Sequence, residues 1–123
     1  MAGEVWKRNK IIMSKDPAFL FKPEEWFTPN TYDNNFKFPT ENSGIYLIVY
    51  PTFDDDSKEF DYEILYIGSA KNLRQRYEKH EVMRVLREVY NYIQFYFKEE
   101  SEYRKIEKQL IKQIQPRFNK QWR

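Results

Sequence analysis

From Ser43 to Pro116 the hydrophobic pattern switches between a period of two and a period near 3.6. Gly44–Tyr50 (GIYLIVY) and Asp61–Gly68 (DYEILYIG) are runs of β-branched and aromatic residues, and each predicts a strand. PTFDDDSKEF between them carries a proline and an acidic cluster, which predicts an exposed turn closing a hairpin. Asp54, Asp55 and Asp56 lack the alternating ligands, central glycine and closing glutamate of a calcium loop, so a solvated turn is the better reading. Lys71–His80 predicts a helix, and Val82, Val85, Leu86 and Val89 fall on one face of a second. In Tyr92–Phe97, Ile93, Phe95 and Phe97 alternate with Tyr92, Gln94 and Tyr96, the pattern of a third strand. Glu99, Glu100 and Glu102 open a final helix, where their charge suits the N-terminal dipole. It runs to about Gln115, and Pro116 stops it.

The order β-β-α-α-β-α predicts an α+β fold: a small three-stranded, mostly antiparallel sheet flanked by helices. Residues 1–42 read differently. Pro17, Pro23, Pro29 and Pro39 recur among Asn/Asp clusters and aromatics, so this stretch predicts an irregular extension that packs its rings on the main domain, residues 43–123. One helical turn is expected around Pro23–Phe27, because proline suits a first helical position and two glutamates follow.

Composition narrows the chemistry. A chain of 123 residues makes one domain. With no cysteine there is no zinc ribbon, RING module, thiol nucleophile or disulfide framework, and a cytoplasmic or otherwise reducing compartment is expected. One histidine excludes His-rich metal cages, and three glycines exclude Gly-rich phosphate loops. Ile45–Tyr50, the longest apolar run, is too short to span a membrane, and the N-terminus lacks the apolar stretch of a secretory signal. The net charge of +2 hides an asymmetry: residues 71–123 hold fourteen Lys/Arg against seven Asp/Glu, and residues 1–70 hold seven against twelve. A polyanion is therefore the first partner to consider.

Three polar residues fall where apolar ones belong. On the final helix Tyr103, Ile106, Leu110, Ile111 and Ile114 form an apolar arc opposite Lys105, Lys108 and Lys112, and Glu107 lies inside that arc. A carboxylate aimed at a core must be paired or bind a metal. On the first helix Leu73, Arg76, Tyr77 and His80 share a stripe, so Arg76 and His80 stand together on its buried side. In the strands Tyr46, Ile48 and Tyr50 share one face and Ile45, Leu47 and Val49 the other; Tyr62, Ile64 and Tyr66 share a face, with Leu65 and Ile67 opposite. Carboxylate, guanidinium, imidazole and phenols converging on a sheet make up the side-chain inventory of a phosphodiesterase.

These residues resemble the GIY-YIG nuclease domain. Gly44-Ile45-Tyr46 and Tyr66-Ile67-Gly68 match its two name-giving tripeptides, Arg76 follows ten residues after Tyr66, and His80 fourteen after it. Glu107 matches the family's metal-binding glutamate, and Asn119 in PRFN its closing asparagine, twelve residues on. The likeness covers about residues 43–120. Tyr46 and Tyr66 are twenty residues apart, twice the commonest family spacing, and Ser69 stands where the excision-repair branch has lysine. The chain resembles a minimal, stand-alone catalytic domain.

The resemblance implies a DNA endonuclease that hydrolyses phosphodiesters with one Mg²⁺ or Mn²⁺. Glu107 would be the only protein ligand to that ion, Arg76 would clamp the phosphate, and Tyr46, helped by Tyr66 or His80, would orient or deprotonate water. Sequence alone leaves the final base open between Tyr46 and His80. Lys71, Arg74 and Lys79 of the first helix are expected to contact phosphates of double-stranded DNA, and double-strand cleavage would call for a homodimer or two visits. A catalytically inactive nucleic-acid-binding module on the same scaffold is one alternative. A protein-interaction domain using its exposed aromatics is another, since Phe, Trp and Tyr make up 19% of the chain. An RNA-recognition reading of YIQFYF fails for want of the glycine-containing partner motif.

Overall fold

The computed structural model describes residues 21–119; the first twenty residues of the extension and the last four of the chain lie outside it. Strands β1 (Gly44–Asp54) and β2 (Glu59–Ala70) form the hairpin. Helices α1 (Leu73–Glu78) and α2 (Glu81–Val89) follow, then β3 (Gln94–Glu99) and α3 (Tyr103–Ile114). The sheet is antiparallel throughout, in the order β2-β1-β3.

Two cores lie on the two faces of this sheet. On one, Tyr46, Ile48, Phe95 and Phe97 pack under Leu73 of α1 and Val82, Met83 and Leu86 of α2. On the other, Ile45, Leu47, Val49, Ile64 and Ile67 pack under Leu110 and Ile114 of α3. Alternation along β1 and β3 runs as the sequence predicts. Along β2 it does not: a bulge sets Ile48 against Tyr66 but Val49 against Ile64, leaving Leu65 without a partner in β1. Leu65 and Tyr66, consecutive in sequence, therefore both belong to the α1–α2 core, while Tyr62 and Ile64 pack toward α3. The expected shared face of Tyr62, Ile64 and Tyr66 is corrected by this one extra residue, which reverses the parity of the strand.

Both sheet edges are covered. Phe27 of the extension exchanges backbone hydrogen bonds with Phe97 on the outer side of β3, at 3.0 and 2.9 Å. Phe38, 1% exposed, sits within the α1–α2 core, so the described part of the extension contributes to the main domain's interior. Pro23–Glu25 forms the expected short turn, as one 3-10 turn. Along the outer edge of β2, Arg117 pairs with Glu63 at 3.3 Å, the Phe118 N–H donates to the Leu65 carbonyl at 3.1 Å, and Asn119 bonds Ile67. The segment after Pro116 thus occupies the edge beside the bulge, where unpaired backbone would otherwise face solvent.

Several boundaries differ from expectation. β1 runs on past Tyr50 to Asp54 and β2 covers Glu59–Ala70, so most of the expected turn PTFDDDSKEF belongs to the ladder, where Phe53 pairs with Phe60, and only residues 55–58 form the turn. The first helix ends at Glu78, and His80 instead caps α2: its Nδ1 accepts the Met83 N–H at 3.2 Å, filling the place a serine or aspartate usually takes. β3 begins two residues late and extends to Glu99, which pairs with Gly44. The last helix starts at Tyr103 instead of Glu99, because the ladder claims Glu99, and Ser43 and Glu100 then bond each other to form the corner. Glu100 still serves the helix start by accepting the Glu102 N–H at 3.0 Å.

Candidate active site

Tyr46 lies on the central strand, 1% exposed, with its ring stacked on Phe95. Two donors converge on its phenol oxygen: His80 Nε2 at 2.7 Å and Arg76 Nε at 3.2 Å. The capping bond fixes the tautomer. Because His80 Nδ1 accepts from Met83, a neutral ring carries its proton on Nε2 and donates to Tyr46. The phenol oxygen thus receives two hydrogen bonds, and its own proton must point elsewhere. Tyr66 completes the cluster, its ring 6.3 Å from Tyr46 and edge-on to His80 at 5.7 Å.

Gly68 shapes this pocket by lacking a side chain. Its φ is not positive, so conformational freedom is not the reason for glycine. A Cβ there would overlap Cζ and Oη of Tyr46. Gly44 behaves alike: a Cβ would overlap the Lys98 carbonyl oxygen and crowd Leu73.

Electrostatics follow burial. Desolvation pushes the Tyr46 phenol well above its ordinary value, and the Arg76 charge pulls it only partly back. Desolvation, reinforced by Arg76, lowers His80 to about 3. Between that value and the ordinary 6.5 the unfolded chain binds a proton that the folded chain refuses. His80 therefore contributes stability that is complete above pH 6.5 and is lost, at about 1.4 kcal/mol per pH unit, as pH falls toward 3. His80→Asn keeps a cap acceptor for α2 and removes the imidazole, so its stability should fall less steeply over this range. Urea unfolding at several pH values measures both slopes, and equal slopes would show that His80 is not held neutral.

Glu107 does not reach the core as its place in the apolar arc suggested. It is half-buried at the rim of the α3 contact, where Oε1 accepts a hydrogen bond from the Ser69 hydroxyl at 2.6 Å. Ser69 in turn lines a groove of about 690 Å³ together with Lys71, Asn72, Gln75, Arg76 and Lys79, so the groove links the Glu107 partner to the Tyr46 partner. Ser69 is the site residue the sequence reading left without a role. The signal was its spacing from Ile67, which places it on the α3 face two residues beyond a core position.

The remaining candidates divide. Lys71 and Lys79 are exposed at the groove. Arg74 is engaged within the protein: Nε donates to the Phe38 carbonyl at 2.9 Å and Nη1 pairs with Glu41 at 3.3 Å, tying the extension to α1. Asn119 is buried, and both ends of its carboxamide bond Ile67: Oδ1 accepts the N–H and Nδ2 donates to the carbonyl, each at 2.8 Å. It braces the backbone between Tyr66 and Gly68. Among the described residues no three His, Asp or Glu side chains come together as a metal cage, and no helix is long and apolar enough to cross a membrane.

No protein-family model matches the chain, and no curated protein or solved structure is significantly similar to it.

Proposed function

We propose that the chain is a divalent-metal-dependent endonuclease of the GIY-YIG type, hydrolysing DNA phosphodiester bonds. The observation that carries this reading is the convergence of Arg76 and His80 on the phenol oxygen of Tyr46, beside a groove bearing two exposed lysines. A structural tyrosine needs one partner. Two donors, one of them cationic, offset part of the desolvation that opposes the phenolate, the form able to accept a proton from water.

In this reading Tyr46 is the base and His80 a fixed donor, since both ring nitrogens of His80 are already engaged. Arg76 holds the scissile phosphate from the groove wall and stabilises the phenolate through Nε. Tyr46, as the phenolate, takes one proton from water, the water oxygen bonds phosphorus, and the opposite phosphorus–oxygen bond breaks. The leaving alkoxide takes a proton from solvent to become the alcohol, and Tyr46 returns its proton to solvent. Asn119 and Gly68 act through position: one holds the β2 backbone, the other leaves room for the phenol.

The donor set fits a hard divalent cation, because Glu107 is a half-exposed carboxylate whose Oε1 is already oriented by Ser69. Glu107 would hold one Mg²⁺ or Mn²⁺, an ion that keeps several waters and neutralises charge on the leaving oxygen.

Supercoiled plasmid with Mg²⁺, Mn²⁺ or EDTA tests the proposal. Metal-dependent nicking or linearisation is expected, and DNA binding without cleavage in any divalent metal would favour the inactive binding module. Lys71→Gln with Lys79→Gln should weaken binding of unrelated duplexes alike and reduce the log–log salt slope by up to about 2. An unchanged slope would remove both lysines from the footprint.

A further inference from the structure

We infer that Ser69 is a positioning residue for the Glu107 carboxylate, its hydroxyl holding that carboxylate in the orientation that serves a divalent cation. The inference rests on the proposed metal role of Glu107. Ser69 is the penultimate residue of β2 and stands opposite Ile45 of β1, so its Cα is fixed by the sheet ladder. Glu107, by contrast, projects from a helix on a flexible side chain, half-exposed. Left alone, such a side chain samples several rotamers, and binding an ion would have to stop that motion. The Ser69 hydroxyl does so beforehand, through a 2.6 Å charge-assisted hydrogen bond to Oε1.

The same bond determines what Ser69 shows the groove it lines. Its only proton is committed to Glu107, so Oγ can offer the groove lone pairs and no donor. Lone pairs suit a cation or a cation's water and do not suit a phosphate oxygen. Arg76, Lys71 and Lys79 on the same groove supply donors for the phosphates. The groove therefore offers an acceptor at the β2 end beside α3 and cationic donors on and around α1, while Glu41, which also lines it, is paired with Arg74.

Removing an orienting partner of a metal ligand typically weakens metal affinity by ~10–100-fold. Ser69→Ala should show that loss while retaining most of its turnover at saturating metal, and Ser69→Thr, which keeps the hydroxyl, should bind close to wild type. The readout is loss of the free Mn²⁺ electron paramagnetic resonance signal when protein and a short duplex are titrated together, with circular-dichroism melts confirming that each variant is folded. Glu107→Gln is the companion variant and should abolish this binding. Wild-type affinity in Ser69→Ala, with binding lost in Glu107→Gln, would overturn the role of Ser69 and leave that of Glu107 standing. Equal Mn²⁺ binding by wild type and Glu107→Gln would overturn the metal role of Glu107 and the Ser69 inference with it. A folded Ser69→Thr as weak as Ser69→Ala would exclude the hydroxyl as the cause.

Discussion

Tyr46→Phe should lower cleavage by about 10²–10⁴-fold, the range lost when a positioned base is removed. The ring stays stacked on Phe95, so the α1–α2 core keeps its volume. A buried donor on His80 and a half-buried one on Arg76 lose their acceptor, and stability should fall by about 1–3 kcal/mol without loss of the fold. The pH profile separates the candidate bases. With His80 lowered to about 3, the imidazole stays neutral from pH 5 to 9, so no inflection near 6.5 is expected. A phenol held above its ordinary value instead makes the metal-saturated rate climb with pH, about tenfold per unit, through 6 to 9. Wild-type turnover in Tyr46→Phe, or a plateau beginning near pH 6.5, would exclude the phenol as base.

Glu107→Gln should remove cleavage by at least about 10²-fold and leave stability within about 0.5 kcal/mol of wild type. The amide carbonyl can still accept from Ser69, and the half-exposed site imposes little desolvation. Among the described residues no cationic side chain lies within salt-bridge reach of Glu107, so its charge has no buried partner to abandon. An architectural Glu107 would behave in the opposite way, since breaking a buried ion pair costs about 3–5 kcal/mol. Thermal melts in EDTA beside the plasmid assay distinguish the two. A variant that melts far lower and still cuts would make Glu107 a structural residue.

The sequence by itself determined the element order, the antiparallel hairpin and the sites where polar residues interrupt apolar stripes. These depend on local periodicity, and Ile45, Leu47 and Val49 or Leu110 and Ile114 bury as their spacing demands. It also placed Arg76 and His80 near Tyr46, although by an argument that needed a continuous helix. The chain instead breaks after Glu78, and His80 reaches the phenol from the cap of α2. That cap could not be read locally, because its energy comes from one backbone N–H meeting a ring already fixed against Tyr46.

Tertiary structure alone decided the rest. The bulge at Leu65 depends on pairing with β1 and on the brace from Phe118 and from Asn119, which lies 52 residues beyond its partner Ile67, so no window along β2 could reveal that Tyr66 changes face. Glu107 looked buried because helical angle does not tell how far a neighbouring sheet extends; β2 ends beside it, and Ser69 meets it there. The glycines of both tripeptides are required by a close approach rather than by a turn. Gly68 makes room for the phenol of Tyr46, and Gly44 for the Lys98 carbonyl on β3. Such approaches are properties of packed surfaces, and a linear sequence does not carry the distance between them.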